Sequence, residues 1–180
     1  MKKLVFVLTA LMSIPLADAS AQSTYVVDQG GGGTHTTIIA AVATAVNGDT
    51  IKVLAGTYSE NVTVAKKLIF IGQAGAEVVS GTDAFQFNSG SGGSVLNGFI
   101  LRGRLIINTP YPSTEASRII IANNELYDNA MDIGGVVTVF NNKFTRLVTP
   151  GNALVFRQPA IAGSPAVILG NTFRSAFLST

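Results

Sequence analysis

Ile119-Ile120-Ile121-Ala122-Asn123-Asn124-Glu125-Leu126 and, eighteen residues further on, Val137-Thr138-Val139-Phe140-Asn141-Asn142-Lys143-Phe144 follow one plan. A short β-branched run meets paired asparagines, and a large apolar residue follows. Ala166-Val167-Ile168-Leu169-Gly170-Asn171 leads into Phe173 in the same way. With Asn97-Gly98-Phe99-Ile100 the pattern Asn-x-large-apolar-x occurs four times, its asparagines 27, 18 and 29 residues apart. Units that recur at such spacings stack on one another, because no single turn of chain buries its own apolar residues. Each strand points apolar residues inward while polar residues take the corners. Asparagines stacked at a bend bond to one another and to backbone groups, so their expected job is structural.

Upstream, the same texture begins after Gly48. Ile51-Lys52-Val53-Leu54, Val62-Thr63-Val64, Leu68-Ile69-Phe70-Ile71 and Val78-Val79 read as brief strands, with Gly56-Thr57-Tyr58 as a turn. Strands this short without intervening helices favour an all-β fold, a right-handed parallel β-helix. One helix is expected before them, over about residues 36-46. Thr34 or Thr36 would cap it, Ile38, Ile39, Val42 and Val46 would form its apolar stripe, and Asn47-Gly48 would end it. An amphipathic helix there would cover the first coil, as a solenoid end requires. Phe173 to Thr180 reads as too short for a second cap, so three expectations stay open there: edge pairing with another copy, a partner, or an incomplete design by comparison with longer solenoids.

The first residues read as an address. Lys2 and Lys3, the apolar run Leu4 to Leu11 and Ala19-Ser20-Ala21 form a secretory leader over residues 1-21; Pro15 and Asp18 interrupt it before it could span a membrane. The chain is then expected outside the cell, at its surface or in the periplasm. Residues 22-180 form one domain with its cap over about 22-48. There is no cysteine, so packing rather than disulfides must stabilise the exported product. Removing Lys2, Lys3 and Asp18 leaves ten basic and nine acidic residues, scattered except for Lys66-Lys67, which argues against a nucleic-acid partner.

Val27-Asp28, Gly30 to Gly33, Thr37-Ile38, Ala41-Val42, Gly48-Asp49-Thr50-Ile51, Gly56-Thr57-Tyr58-Ser59-Glu60 and Ile71-Gly72 together resemble the opening of pectinesterases. The later Asn-x-Phe repeats are similar to coils of the wider pectin-lyase-like family of parallel β-helices. The resemblance implies fold and carries little of the chemistry. Pectinesterases use two aspartates and an arginine within glutamine-aspartate and aspartate-phenylalanine-isoleucine-phenylalanine-glycine motifs, and neither motif is present. Asp83-Ala84-Phe85-Gln86-Phe87 comes nearest and lacks the glycine and a companion aspartate. Glu60 is expected to tie or solubilise a bend.

Acid/base chemistry on a sugar polymer needs two carboxylates at a fixed separation. Asp128 and Asp132 are the closest pair, with Asp83 a third candidate; the plainer reading of all three is solvated turns. Calcium, which a pectate-lyase-like reaction would use, has only Glu125, Asp128 and Asp132 as clustered oxygen donors, and no other cofactor is implied. His35 stands alone and suits a loop or cap. Asn61-Val62-Thr63 is a glycosylation sequon, relevant only in a host with that machinery. Arg102 and Arg104 alternate on a strand and so share a face; with Tyr58, Tyr111 and Tyr127 they are the candidate contacts to a polysaccharide, guanidinium to uronate and ring to sugar face. Three functions stay open: a non-catalytic polysaccharide-binding β-helix, a small lyase or hydrolase acting on uronate polymers, and a surface or assembly module.

Overall fold

The computed structural model describes residues 21–108, 115–127, 131–145, 154–156 and 166–174. In chain order the elements are β1 (Thr24–Val27), α1 (Ile38–Thr44), β2 (Thr50–Val53), β3 (Gly56–Tyr58), β4 (Val62–Val64), β5 (Ile69–Gly72), β6 (Ala76–Phe87), β7 (Val95–Asn97) and β8 (Ile100–Ile107). They continue with β9 (Ile119–Ala122), β10 (Glu125–Tyr127), β11 (Met131–Ile133), β12 (Val137–Phe140), β13 (Lys143–Thr145), β14 (Leu154–Phe156), β15 (Val167–Leu169) and β16 (Thr172–Arg174).

Every described strand pairing is parallel. One sheet runs β1-β2-β5-β7-β9-β12-β15, and the second joins β14-β11-β8-β10-β13-β16 with β3, β4 and β6. Successive members of each sheet come from successive turns of chain, which makes the molecule an all-parallel β-solenoid with one short α-helix near its start, as expected from the repeats.

The inward residues explain the stacking. Ile51, Phe70, Leu96, Ile121 and Val139 occupy one register row of the first sheet, and Tyr58, Val78, Leu101, Leu126 and Phe144 occupy a row of the second. All are buried. Phe70, Phe85, Phe87 and Phe99 interlock between coils, with ring centroids 5.3 to 6.1 Å apart. Burial of such a ring stabilises by about 2–3 kcal/mol.

Register corrects the repeat at one point. Asn97 pairs with Ala122, so Phe99 and not Asn97 stands at the position of Asn124. The true corner is Gly98, Asn123, Asn141 and Gly170, with φ of 84°, 54°, 51° and 63°. Only glycine and asparagine take this left-handed turn at low cost, which is why each repeat carries one of them there. The following asparagines form an inner ladder. The backbone N–H of Phe99 donates to Asn124 Oδ1, that of Asn124 to Asn142 Oδ1, and that of Asn142 to Asn171 Oδ1, at 2.8–2.9 Å. Outside it, Asn141 donates to Asn123, which donates to Asn97. The structural reading of these residues agrees with the contacts they make.

The helix is shorter than expected and differently capped. Thr37, rather than Thr34 or Thr36, accepts from the Ala40 N–H. The buried face is Ile38, Ala41 and Val42, whereas Ile39 and Val46 are about half exposed. That face packs on β1, β2 and β4, covering the first strands. Both helix ends are held by the segment around β4. Glu60 accepts from the N–H groups of Ile38 and Ile39, and the Lys66 ammonium donates to the carbonyls of Val42, Ala43 and Ala45. Glu60 thus ties the bend to the helix, with its charge matched to the dipole. Gly56-Thr57-Tyr58 is a strand and not the expected turn, because parallel pairing with Ala76–Val78 extends it.

Candidate functional site

The outward residues of β3, β6, β8, β10 and β13 form two rows along the solenoid. Thr57, Glu77, Ile100, Glu125 and Lys143 share one, and Val79, Arg102, Tyr127 and Thr145 the other. Their side chains connect across coils. Thr57 donates to Glu77 Oε2, and Arg102 Nε donates to Glu77 Oε1. The Arg102 guanidinium lies 4.2 Å from the centroid of the Tyr127 ring, a cation–π contact. Tyr127 Oη donates to Glu125 Oε1 at 2.7 Å, and that carboxylate also accepts from Lys143 and Thr145. The result is a continuous line of donors and acceptors parallel to the solenoid axis.

These contacts shift two titrations. The hydrogen bond from the Lys143 ammonium holds the Glu125 carboxyl below its ordinary value, with smaller help from Tyr127. The hydrogen bond to Glu125 in turn raises the Tyr127 phenol, with partial burial adding to it.

Beside this line β6 bulges. Val79 pairs with Arg102 and Asp83 with Arg104, so Ser80-Gly81-Thr82 stands opposite Gly103 alone. Gly103 has φ of 146°, and a Cβ there would meet Ala84 N and Ser80 O at 3.0 Å; the bulge needs glycine beneath it. The excursion and the two arginines enclose a concavity of about 460 Å³, lined by Val79, Ser80, Gly81, Thr82, Arg102, Gly103 and Arg104. Arg104 Nε donates to Asp83 Oδ1 at 2.7 Å. Asn61 donates to Thr82 from the neighbouring coil.

Of the residues expected at a ligand site, Arg102, Arg104 and Tyr127 come together here. Tyr58 does not. It is 0% exposed, with its hydroxyl donating to the carbonyls of Val27 and Leu54, and its phenol is raised first of all by burial. A ring so enclosed has no face for a sugar; inward alternation along β3 puts it there. Tyr111 and Asp128 lie outside the described residues.

Two of the three acid candidates are described. Asp83 pairs with Arg104, while Asp132 is buried on β11, opposite Ile106. Glu125, one of the three oxygen donors considered for calcium, already accepts three hydrogen bonds. Among the described residues no group of three or more His, Asp or Glu side chains is placed to hold a metal ion. His35 sits in the loop, its ring nitrogens within 3.1 Å of Thr34 and Thr44 hydroxyls and its ring edge-on to Tyr25.

Glu77 and Lys143 belong to the site although nothing local marks them. Glu77 reaches Arg102 from 25 residues away, one coil length that only the strand register reveals. The opposite sheet contrasts with this polar face. Its outward positions include Ile71, Ile120, Phe140 and Leu169, all among the exposed large apolar residues. Among the described residues no helix is long and apolar enough to cross a membrane.

A comparison with protein-family models found no match, and comparisons with curated proteins and with solved structures found none. The chain is established as a parallel β-solenoid of the general β-helix kind.

Proposed function

We propose that this chain is an exported β-helix that binds or organises polysaccharide outside the cell or in the periplasm, through the face carrying Arg102, Arg104 and Tyr127. The observation that supports this is the axial line from Thr57 through Glu77, Arg102, Tyr127 and Glu125 to Lys143, running beside the concavity under the β6 bulge. An extended polymer repeats along its length, and so do hydrogen-bonding groups carried on successive coils. The concavity falls within the range of small-ligand sites and would take a short stretch of a sugar chain. A non-catalytic role fits the engagement of the described acids of this face, Glu77, Asp83 and Glu125, in ion pairs with Arg102, Arg104 and Lys143. The test is a binding screen of the mature chain against acidic and neutral polysaccharides, with and without calcium. Saturable binding, weakened at least about tenfold by Arg102→Ala with Arg104→Ala, is expected. Product release from any polymer would favour the lyase or hydrolase reading instead.

A second reading, assembly with another copy through the last coil, is favoured by one observation. Ile168 and Phe173 continue the inward rows but are 38% and 54% exposed, where Val139 and Phe144 one coil earlier are buried. Concentration-dependent sedimentation that Phe173→Ser abolishes would support it.

A further inference from the structure

We infer that the polymer held on the Arg102 face is an uncharged, hydroxyl-rich glycan and not a polyuronate, an inference that rests on the reading of that face as a polysaccharide site. Among the described residues the face carries three bases and three acids in three ion pairs: Arg102 with Glu77, Arg104 with Asp83 and Lys143 with Glu125. The charge of these six side chains is balanced. Each cation already has a carboxylate at hydrogen-bond distance, and two of those carboxylates have further donors, Thr57 on Glu77 and Tyr127 with Thr145 on Glu125.

A uronate approaching Arg102 or Arg104 would come within reach of the carboxylate already paired there. It would have to displace that group or lie against it, and like charges in a half-exposed concavity oppose both. A sugar hydroxyl meets no such conflict. It donates to a carboxylate oxygen and accepts from a guanidinium at once, bridging an ion pair without opening it. Between the two arginines the rest of the concavity's lining is uncharged and suits the same class, since Ser80 and Thr82 add hydroxyls and Gly81, with open space beside it, lets a ring approach the backbone. The arginines therefore act as hydrogen-bond donors whose charge is compensated, and Tyr127, with Arg102 against its face, anchors the arginine instead of serving as an open platform.

Titration calorimetry on the whole mature chain tests this with matched probes: polygalacturonate, its fully methyl-esterified form, and the neutral polymers mannan, xylan and β-glucan. At least one neutral polymer is expected to bind about tenfold or more tighter than polygalacturonate, with an affinity that changes less than about twofold between low and high salt. Replacing Glu77→Gln together with Asp83→Asn uncovers the arginines, and the preference is expected to move by about tenfold towards polygalacturonate, with circular dichroism confirming the fold. Tighter binding of polygalacturonate to the unsubstituted chain, with a steep loss on adding salt, would overturn the inference while leaving the polysaccharide reading standing. No binding to any polymer by folded protein would overturn both.

Discussion

Glu60 shows how much one side chain in a solenoid can carry. In sequence it stands in a turn-like stretch, Tyr58-Ser59-Glu60-Asn61, and reads as a residue that ties or solubilises a bend. In the fold it reaches back 22 residues to Ile38 and closes the start of α1, while Lys66 closes its end. Glu60→Ala should lower stability by about 1 kcal/mol, the scale of a lost helix cap, and Lys66→Met by a similar amount, both measured by urea unfolding. Asn142 is a stricter case because it is buried. Its side chain donates to the Ile121 and Phe140 carbonyls and accepts from the Asn124 N–H. Asn142→Ala should cost about 3 kcal/mol, leaving several buried groups unsatisfied, whereas Asn97→Ala on the outer ladder should cost under about 1 kcal/mol. Equal losses at the two positions would show that the ladders are not distinct.

Among the elements, β10 and β13 link local chemistry to pH. The Glu125 carboxyl is depressed by the Lys143 ammonium, so its contribution to stability is full above the ordinary carboxylate value and is lost as pH falls through the depressed one. Tyr127 runs the other way: raised by Glu125, it contributes below the ordinary phenol value and loses that contribution as pH rises through the raised one. Lys143→Met should therefore lower stability at neutral pH and flatten the acid limb, and Tyr127→Phe should remove part of the alkaline loss. Thermal unfolding from pH 3 to 11 would check both, and unchanged limbs would refute the assignments. Elements were unevenly legible in sequence. The strands after Gly48 stand out because β-branched runs alternate with polar corners, as at Ile119–Ala122 and Val137–Phe140. Gly56–Tyr58 reads as a turn because three residues hold too little pattern, and only the partner strand makes them extended. The helix stripe is misjudged at Ile39 and Val46 because the buried face is set by packing on β1, β2 and β4, and Val46 lies beyond the helix end at Thr44.

Over the whole molecule, the solenoid is legible and the site only in part. Stacking needs the same residue types at each coil, and the repeated asparagines announce it. The polar face depends on which coil lies beside which, and coil length varies: Phe99, Asn124, Asn142 and Asn171 are 25, 18 and 29 residues apart. Alternation places Arg102 and Arg104 on one face, but it cannot bring Glu77 or Lys143 to them. The same irregularity hides the burial of Tyr58. Two outer faces then differ in character, one lined by compensated charges and one bearing Ile71, Ile120, Phe140 and Leu169.

The most direct measurement is an NMR titration of residues 22–180 with a soluble polysaccharide that binds, following the Arg102 and Arg104 Nε–H signals and the Tyr127 ring. Shifts centred on those groups and on Ser80 to Thr82, with the amides of Ile71, Ile120 and Phe140 unmoved, are the predicted result. Shifts confined to that apolar sheet or to the last coil would contradict the placement of the site.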